Sequence, residues 1–360
     1  MATFSRTTFD AAAYLAFRPS YPRWVHDKVL LYHFGPRPNG KSSLALDLGC
    51  GPGISTISLL PHFDRVIGLD PSAKMVDAAI TPTTPNLPRH LIPNIADGKK
   101  GKLGKVEYRQ GYSEELGFLE DGSVDLVTAG QAAHWFDYPK FWREITRVLR
   151  PGGSVCLYGY PDFFLPDFPS TRSLLNRFSL RDGQAPPSPH PQGAEVDSIG
   201  EYWEQPGRSI VNQGLSPIPF PTTYPDVAAH WNAASAFKRT FSTEGLPQDQ
   251  IWPEWPPLTS TPLTAQLDEK VKSEFVGEQN DATMDKMLTW SQLASYLRTW
   301  SAAHTYLAQH NHKDDQGRDV VDRFVQRLKE EVQRENGGKE VEELHLRWPL
   351  CFVMIKKIDA

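Results

Sequence analysis

An apolar run ending in alternating glycines, Leu44 to Leu48 and then Gly49-Cys50-Gly51-Pro52-Gly53, constrains this chain more than any other feature. Glycine admits positive φ angles and carries no side chain, so such a turn brings bare main chain to the carboxyl end of a first strand. In an open parallel sheet, ligands bind there. Four further β-rich runs follow, Val66 to Asp70, Val106 to Gln110, Val124 to Thr128 and Ser154 to Tyr158, with helical stretches between them. Asp137 to Leu149 carries Phe141, Ile145, Val148 and Leu149 at helical spacing. Pro151-Gly152-Gly153 stops that helix and turns the chain into the fifth strand. The alternation predicts an α/β fold with a parallel sheet and right-handed crossovers.

At 360 residues the chain forms one large domain or two coupled ones. Its 39% hydrophobic and 22% charged residues exclude a disordered or collagen-like protein. No apolar run approaches the ~18 residues of a membrane-spanning helix, and the start lacks the basic-then-apolar order of a secretory signal. The expected address is cytoplasmic, without a membrane. A formal charge of -5 speaks against a general nucleic-acid binder. Cys50, Cys156 and Cys351 fit neither a disulfide framework nor a zinc site, so no metal is expected.

The breaker-rich residues 81–105 read as a long surface loop, and the proline-rich stretch after the fifth strand as an irregular cap. Helical order returns at the capping pair Thr289 and Gln292. Leu293, Tyr296, Leu297, Trp300, His304 and Leu307 then form one apolar helical face. A second helix spans about Asp319 to Arg334. The closing LHLRWPLCFVMIKK is strand-like, and Pro349 implies a bulge or an edge position there.

Asp70 ends the second strand 19 residues after Gly51, where a carboxylate can accept both hydroxyls of a ribose. It can also cap the helix after Pro71-Ser72, although Ser72 suits that task. A dinucleotide site would need a third glycine where Ile54 stands. Asp47 puts a negative charge where phosphates would lie but where an ammonium or sulfonium group is welcome. A nicotinamide-dependent oxidoreductase is therefore disfavoured.

LDLGCGPG, VIGLDPSAKMV, QGYSEELGF, DLVTAGQAAHWF and VLRPGGSVCLYG, in this order over about residues 44 to 160, resemble the class I S-adenosylmethionine-dependent methyltransferases. FDAAAYLAFRPSYP, SYLRTWSAAHTY and the final WPLCFVMIKK are similar to the trans-aconitate methyltransferase-like (methyltransferase type 11) small-molecule group seen in fungi. The resemblance implies a Rossmann-like fold, a seven-stranded mostly parallel sheet with helices on both faces and an added cap. It divides the chain into a lid segment (1–40), a cofactor-binding core (41–160), a cap and acceptor region (161–310), and a final helix and strand (311–360). The sixth strand has no assigned place beyond the irregular stretch before the last one.

The resemblance further implies that Asp47, Gly49 and Gly51 line the methionine part of S-adenosylmethionine and that Asp70 holds its ribose. Tyr112 would flank the adenine, with the Ser113 backbone and Glu114 at its polar edge, and Gln131 would sit near the methionine tail. Met75 stands near adenine in this pattern or belongs to the core. The implied reaction is methylation of a small organic molecule, a carboxylic acid or a fungal secondary metabolite. The alternative is a protein of this fold that binds the cofactor without transferring methyl. A sulfonium methyl is already activated, so the protein's task is to hold a nucleophile in line at about 3 Å in a dry pocket.

Acceptor-side candidates are Tyr14, Arg18, Tyr21, His134, Trp135 and Trp300. Arg18 forks onto a carboxylate or pins backbone carbonyls. His134 orients the acceptor or takes a proton. Trp300 walls the pocket or fills core. His304 reads as a core histidine, Arg298 as serving solvent or another segment, and the His-Asn-His at 310–312 as surface.

Overall fold

The computed structural model describes residues 14, 16–35, 42–83, 103–181, 198–246, 282–310 and 313–358. Its helices are α1 (Arg23–Phe34), α2 (Ala73–Asp77), α3 (Tyr138–Val148), α4 (Arg172–Ser179), α5 (Gly207–Asn212), α6 (Trp290–Arg298), α7 (Ser301–Gln309) and α8 (Val320–Glu335). Its strands are β1 (Ser42–Leu48), β2 (Phe63–Asp70), β3 (Lys105–Gln110), β4 (Val124–Gly130), β5 (Leu149–Gly159), β6 (Trp231–Phe241), β7 (Asp285–Thr289), β8 (Glu343–Arg347) and β9 (Leu350–Lys357).

Seven strands form one sheet in the order β3-β2-β1-β4-β5-β9-β6. The first five pair in parallel, and β9 runs antiparallel to both of its neighbours. This is the expected seven-stranded, mostly parallel sheet. The reversal of strand order between β1 and β4 opens a crevice at their carboxyl ends. Alternate residues feed two cores, Ala45, Val66, Leu126 and Tyr158 on one face, Leu46, Ile67, Val127 and Leu157 on the other. The first face is covered by α1, α6 and α8, the second by α3. In α3, Asp137 caps the amino end by accepting from the Lys140 amide, and the buried Phe141, Ile145 and Val148 are the residues whose spacing predicts it.

Three expectations need correction. The single helix after Thr289 is two. α6 starts with the predicted capping box but ends at Arg298, and Trp300 is extended (ψ 134°) before α7 begins. The break frees the Thr299 carbonyl, which accepts from Arg18 Nη2 at 3.1 Å. The closing strand is also two. Pro349 lies between β8 and β9, where its missing N–H interrupts no ladder, and β9 is internal rather than an edge. Finally, the proline-rich stretch holds the missing sixth strand, β6, whose register slips between Asn232 and Phe237. That slip spoils the alternation that would announce a strand in WNAASAFKRTF. The predicted loop at 81–105 falls mostly outside the described residues.

Candidate functional site

A cavity of about 370 Å³ opens at the carboxyl ends of β1, β2 and β4. One half is built by the glycine turn. Gly49, Gly51 and Gly53 all have positive φ, for different reasons. A Cβ on Gly49 would stand 2.3 Å from Ala132 Cβ, whereas one on Gly51 would meet nothing within 4 Å. Gly49 thus serves close packing, and Gly51 leaves open space over the cavity. Beyond the turn, Thr56–Leu59 is a short 3-10 segment. Ile54, at the position of a third glycine, lines the cavity.

Asp47 sits one position before the end of β1, fully buried and in register with Thr128 of β4. Its two carboxylate oxygens accept from Thr56 Oγ1 at 2.7 Å and Thr128 Oγ1 at 2.8 Å. Burial nevertheless pushes the Asp47 carboxyl up to about 6. Asp70, the last residue of β2, accepts from the Gly51 amide at 2.9 Å and the Ser72 amide at 2.8 Å. Burial raises its pKa as well, against those two bonds. The helix cap belongs to Ser72, whose side chain accepts from the Met75 amide. Asp70 therefore straps the turn to the second strand and does not cap α2. Met75 is buried and also lines the cavity, while Tyr112 lines it at 52% exposure.

Ser113 is buried but does not line the cavity. The Glu114 carboxylate is engaged elsewhere, accepting from the Asp137 amide at the start of α3. Gln131 follows β4 with φ 54° and lines the cavity. Its amide is spent on the main chain, Nε2 donating to the Tyr160 carbonyl and Oε1 accepting from the Tyr160 amide, both at 2.8 Å.

The other half is aromatic and holds two guanidinium groups. Tyr14, Arg18, Tyr21, His134, Trp135 and Trp300, the acceptor-side candidates, all line it. Arg18 lies 5.0 Å from the Tyr14 ring centroid and 5.9 Å from that of Tyr296. It both pins the Thr299 carbonyl and faces the cavity. His134 and Trp135 stand on a 3-10 turn just past β4, ring centroids 4.8 Å apart. Burial, then the charges of Arg208 and Arg18, lower the His134 pKa to about 3, so its ring is neutral at physiological pH. Trp300 is 2% exposed and belongs to wall and core alike.

His304 is half-buried and away from the cavity. Arg298 serves another segment, pairing with Asp319 and Asp322 at the start of α8. His310 is exposed against Tyr202, and residues 311–312 lie outside the described residues. Sequence reasoning missed Tyr160, Asp162, Trp203, Arg208 and Tyr296 on the cavity wall. Trp203 and Arg208 fall in the stretch read as irregular, where no periodicity flags a residue.

The fold is the Rossmann-like one of the class I methyltransferases, with this cavity in its crevice. Residues 46–157 match the family model described as "Methyltransferase domain". The chain is 27% identical over 211 residues to the Saccharomyces cerevisiae protein named "Probable S-adenosylmethionine-dependent methyltransferase CRG1", covering 58% of this chain and 60% of that one. It is 33% identical over 148 residues to a Dictyostelium discoideum protein named a "Putative methyltransferase", covering 41% and 46%. The matches thus span about half the length of these curated relatives. Among solved structures, a "Putative Type II Methyltransferase" from Anaeromyxobacter dehalogenans superposes with a TM-score of 0.53 at 21% identity, over 96% of this chain and all of that one. The fold is that of the class I methyltransferases, residues 46–157 match their domain model, and S-adenosylmethionine is the cofactor these similarities support. The residues present fit it: open space over Gly51 and carboxylates at Asp47 and Asp70, all on one cavity. No described helix is long and apolar enough to cross a membrane.

Proposed function

We propose that this chain transfers a methyl group from S-adenosylmethionine to a small organic acid, in the manner of the trans-aconitate methyltransferase-like group and in a cytoplasmic setting. The observation that carries this reading is that one cavity joins the Asp47–Gly51–Asp70 half to the half holding Arg18 and His134. When bound, the cofactor supplies a sulfonium methyl that needs no further activation. Asp47 would meet its ammonium and Asp70 its ribose hydroxyls, Gly49 and Gly51 would offer main chain, and Tyr112 and Met75 would bound the adenine, whereas Ser113 stands off the cavity. Gln131 positions the Tyr160 backbone beside the methionine tail.

The acceptor class we favour rests on the chemistry of the site. An imidazole held to a pKa of about 3 is a poor base at neutral pH, so His134 orients the acceptor and does not deprotonate it. An acceptor already ionised at pH 7 needs no base, and a carboxylate is one. Arg18, Tyr14, Tyr21, Trp135 and Trp300 then hold the acceptor and exclude water, with residues 1–40 acting as lid and 161–310 as cap over the 41–160 core. A secondary metabolite bearing a carboxylate satisfies the same argument.

Calorimetry with S-adenosylhomocysteine tests the donor half. Asp70→Ala is expected to cost roughly 1–3 kcal/mol of affinity through the lost charged acceptor. A folded variant with wild-type affinity would remove Asp70 from the ribose site. Labelled methyl appearing on none of a panel of organic acids, despite tight binding, would favour a binder that transfers nothing.

A further inference from the structure

Arg208 on α5 is a buried cation that the donor-site argument leaves unused. It is 8% exposed, pairs with Asp162, and lies 4.0 Å from the Trp203 ring centroid. A carboxylate and an aromatic face fix the plane of its guanidinium. The Asp162 bond uses Nη2, and the buried Nε has no hydrogen-bond partner among the described residues. The same holds for Arg18 Nε and His134 Nδ1. All three residues line the same cavity, and a Cβ on Gly207, next to Arg208, would stand 3.0 Å from His134 Cδ2.

Buried polar atoms are normally satisfied, and leaving a charged donor unpaired is costly. Three residues that each keep an unmet buried polar atom stand around one chamber, and together they mark the seat of a polar ligand. Two of these atoms belong to guanidinium groups, which donate only, so the ligand must accept. Its frame is suited to the walls, where Trp135, Tyr160, Trp203, Tyr296 and Trp300 line the space.

We propose that Arg208 selects the acceptor, its guanidinium reading an anionic oxygen group carried on a planar organic frame, with Arg18 and His134 contacting the same ligand. Asp162 is the positioning residue that holds the guanidinium for this task. The inference rests on the proposed acceptor half, yet its test needs no methyl transfer.

Benzoate and its neutral counterpart benzamide are titrated into protein saturated with S-adenosylhomocysteine. Wild type is expected to bind benzoate at least about tenfold more tightly than benzamide. Arg208→Gln should cut that preference at least about threefold, the Arg18 charge accounting for what remains, while leaving S-adenosylhomocysteine affinity unchanged, and Arg208→Lys should restore part of it. Arg208→Gln strands the Asp162 carboxylate, so the double variant Asp162→Asn with Arg208→Gln removes both charges and supplies the same reading in a stable protein. Equal binding of the two probes by wild type, no saturable benzoate binding, or an undiminished preference in the double variant would overturn the proposal. If S-adenosylhomocysteine fails to bind wild type, the donor reading falls, and the benzoate-to-benzamide ratio on the ligand-free protein still decides the role of Arg208.

Discussion

Asp47 shows how a single side chain links stability to ligand affinity. Its folded pKa of about 6 lies above the ordinary 3.8, so between those values the native state binds more protons than the unfolded one. Stability from this group therefore falls as pH rises through that window. An ammonium beside it reverses the preference by favouring the ionised form. S-adenosylhomocysteine affinity is expected to increase as pH rises from about 5 to 7, with proton release below about 6. Calorimetry in two buffers of different ionisation enthalpy reads both effects, and a flat profile would argue against Asp47 as the ammonium's partner. Asp47→Asn should stabilise the ligand-free protein by roughly 1–3 kcal/mol at neutral pH while weakening that binding. The positions of Asp47 and Asp70 were legible because chain order places strand ends side by side in a parallel sheet. Ser113 and Glu114 were not, because their placement depends on how α3 docks, and the Glu114 carboxylate meets the Asp137 amide there.

At the scale of elements, caps and breaks carry the information. Asp319 accepts from the Val321 and Asp322 amides, both at 2.9 Å, and also holds Arg298 at the end of α6. Asp319→Ala should cost about 1–2 kcal/mol in denaturant unfolding, through the lost amino-terminal cap. Arg298→Ala should cost less than about 1 kcal/mol, because the Arg298 side chain is 35% exposed and solvent screens the pair. Equal losses would mean that the inter-helix pair, not the cap, is what α8 depends on. The capping box at Thr289 and Gln292 was readable from two residues three apart. The break at Trp300 was not, since it satisfies a demand from Arg18, 281 residues away in sequence. β6 stayed hidden for a related reason, because its partner is the last strand of the sheet and no local alternation announces it.

For the whole molecule, burial of neutral histidines dominates the response to acid. Burial lowers His26 to about 4, His33 to about 3 and His134 to about 3. In each case the unfolded chain takes up a proton near pH 6.5 and the native state does not until much lower, so their contribution is lost as pH falls below about 6.5. Each displacement exceeds the opposite one at Asp47, so the histidines win. Thermal melting should show the midpoint dropping progressively between about pH 6.5 and 4, and a midpoint unchanged across that range would contradict the burial of these three rings as neutral groups. Topology adds a constraint of another kind. Since β9 is wedged between β5 and β6, the 11-residue strand β6 has no neighbour in the sheet until the ladder is completed by residues made more than a hundred positions later. During synthesis the amino-terminal five strands can assemble as they emerge, but β5 must wait with a naked edge and β6 must wait unmoored. The last strand acts as the keystone whose arrival turns two waiting halves into one sheet.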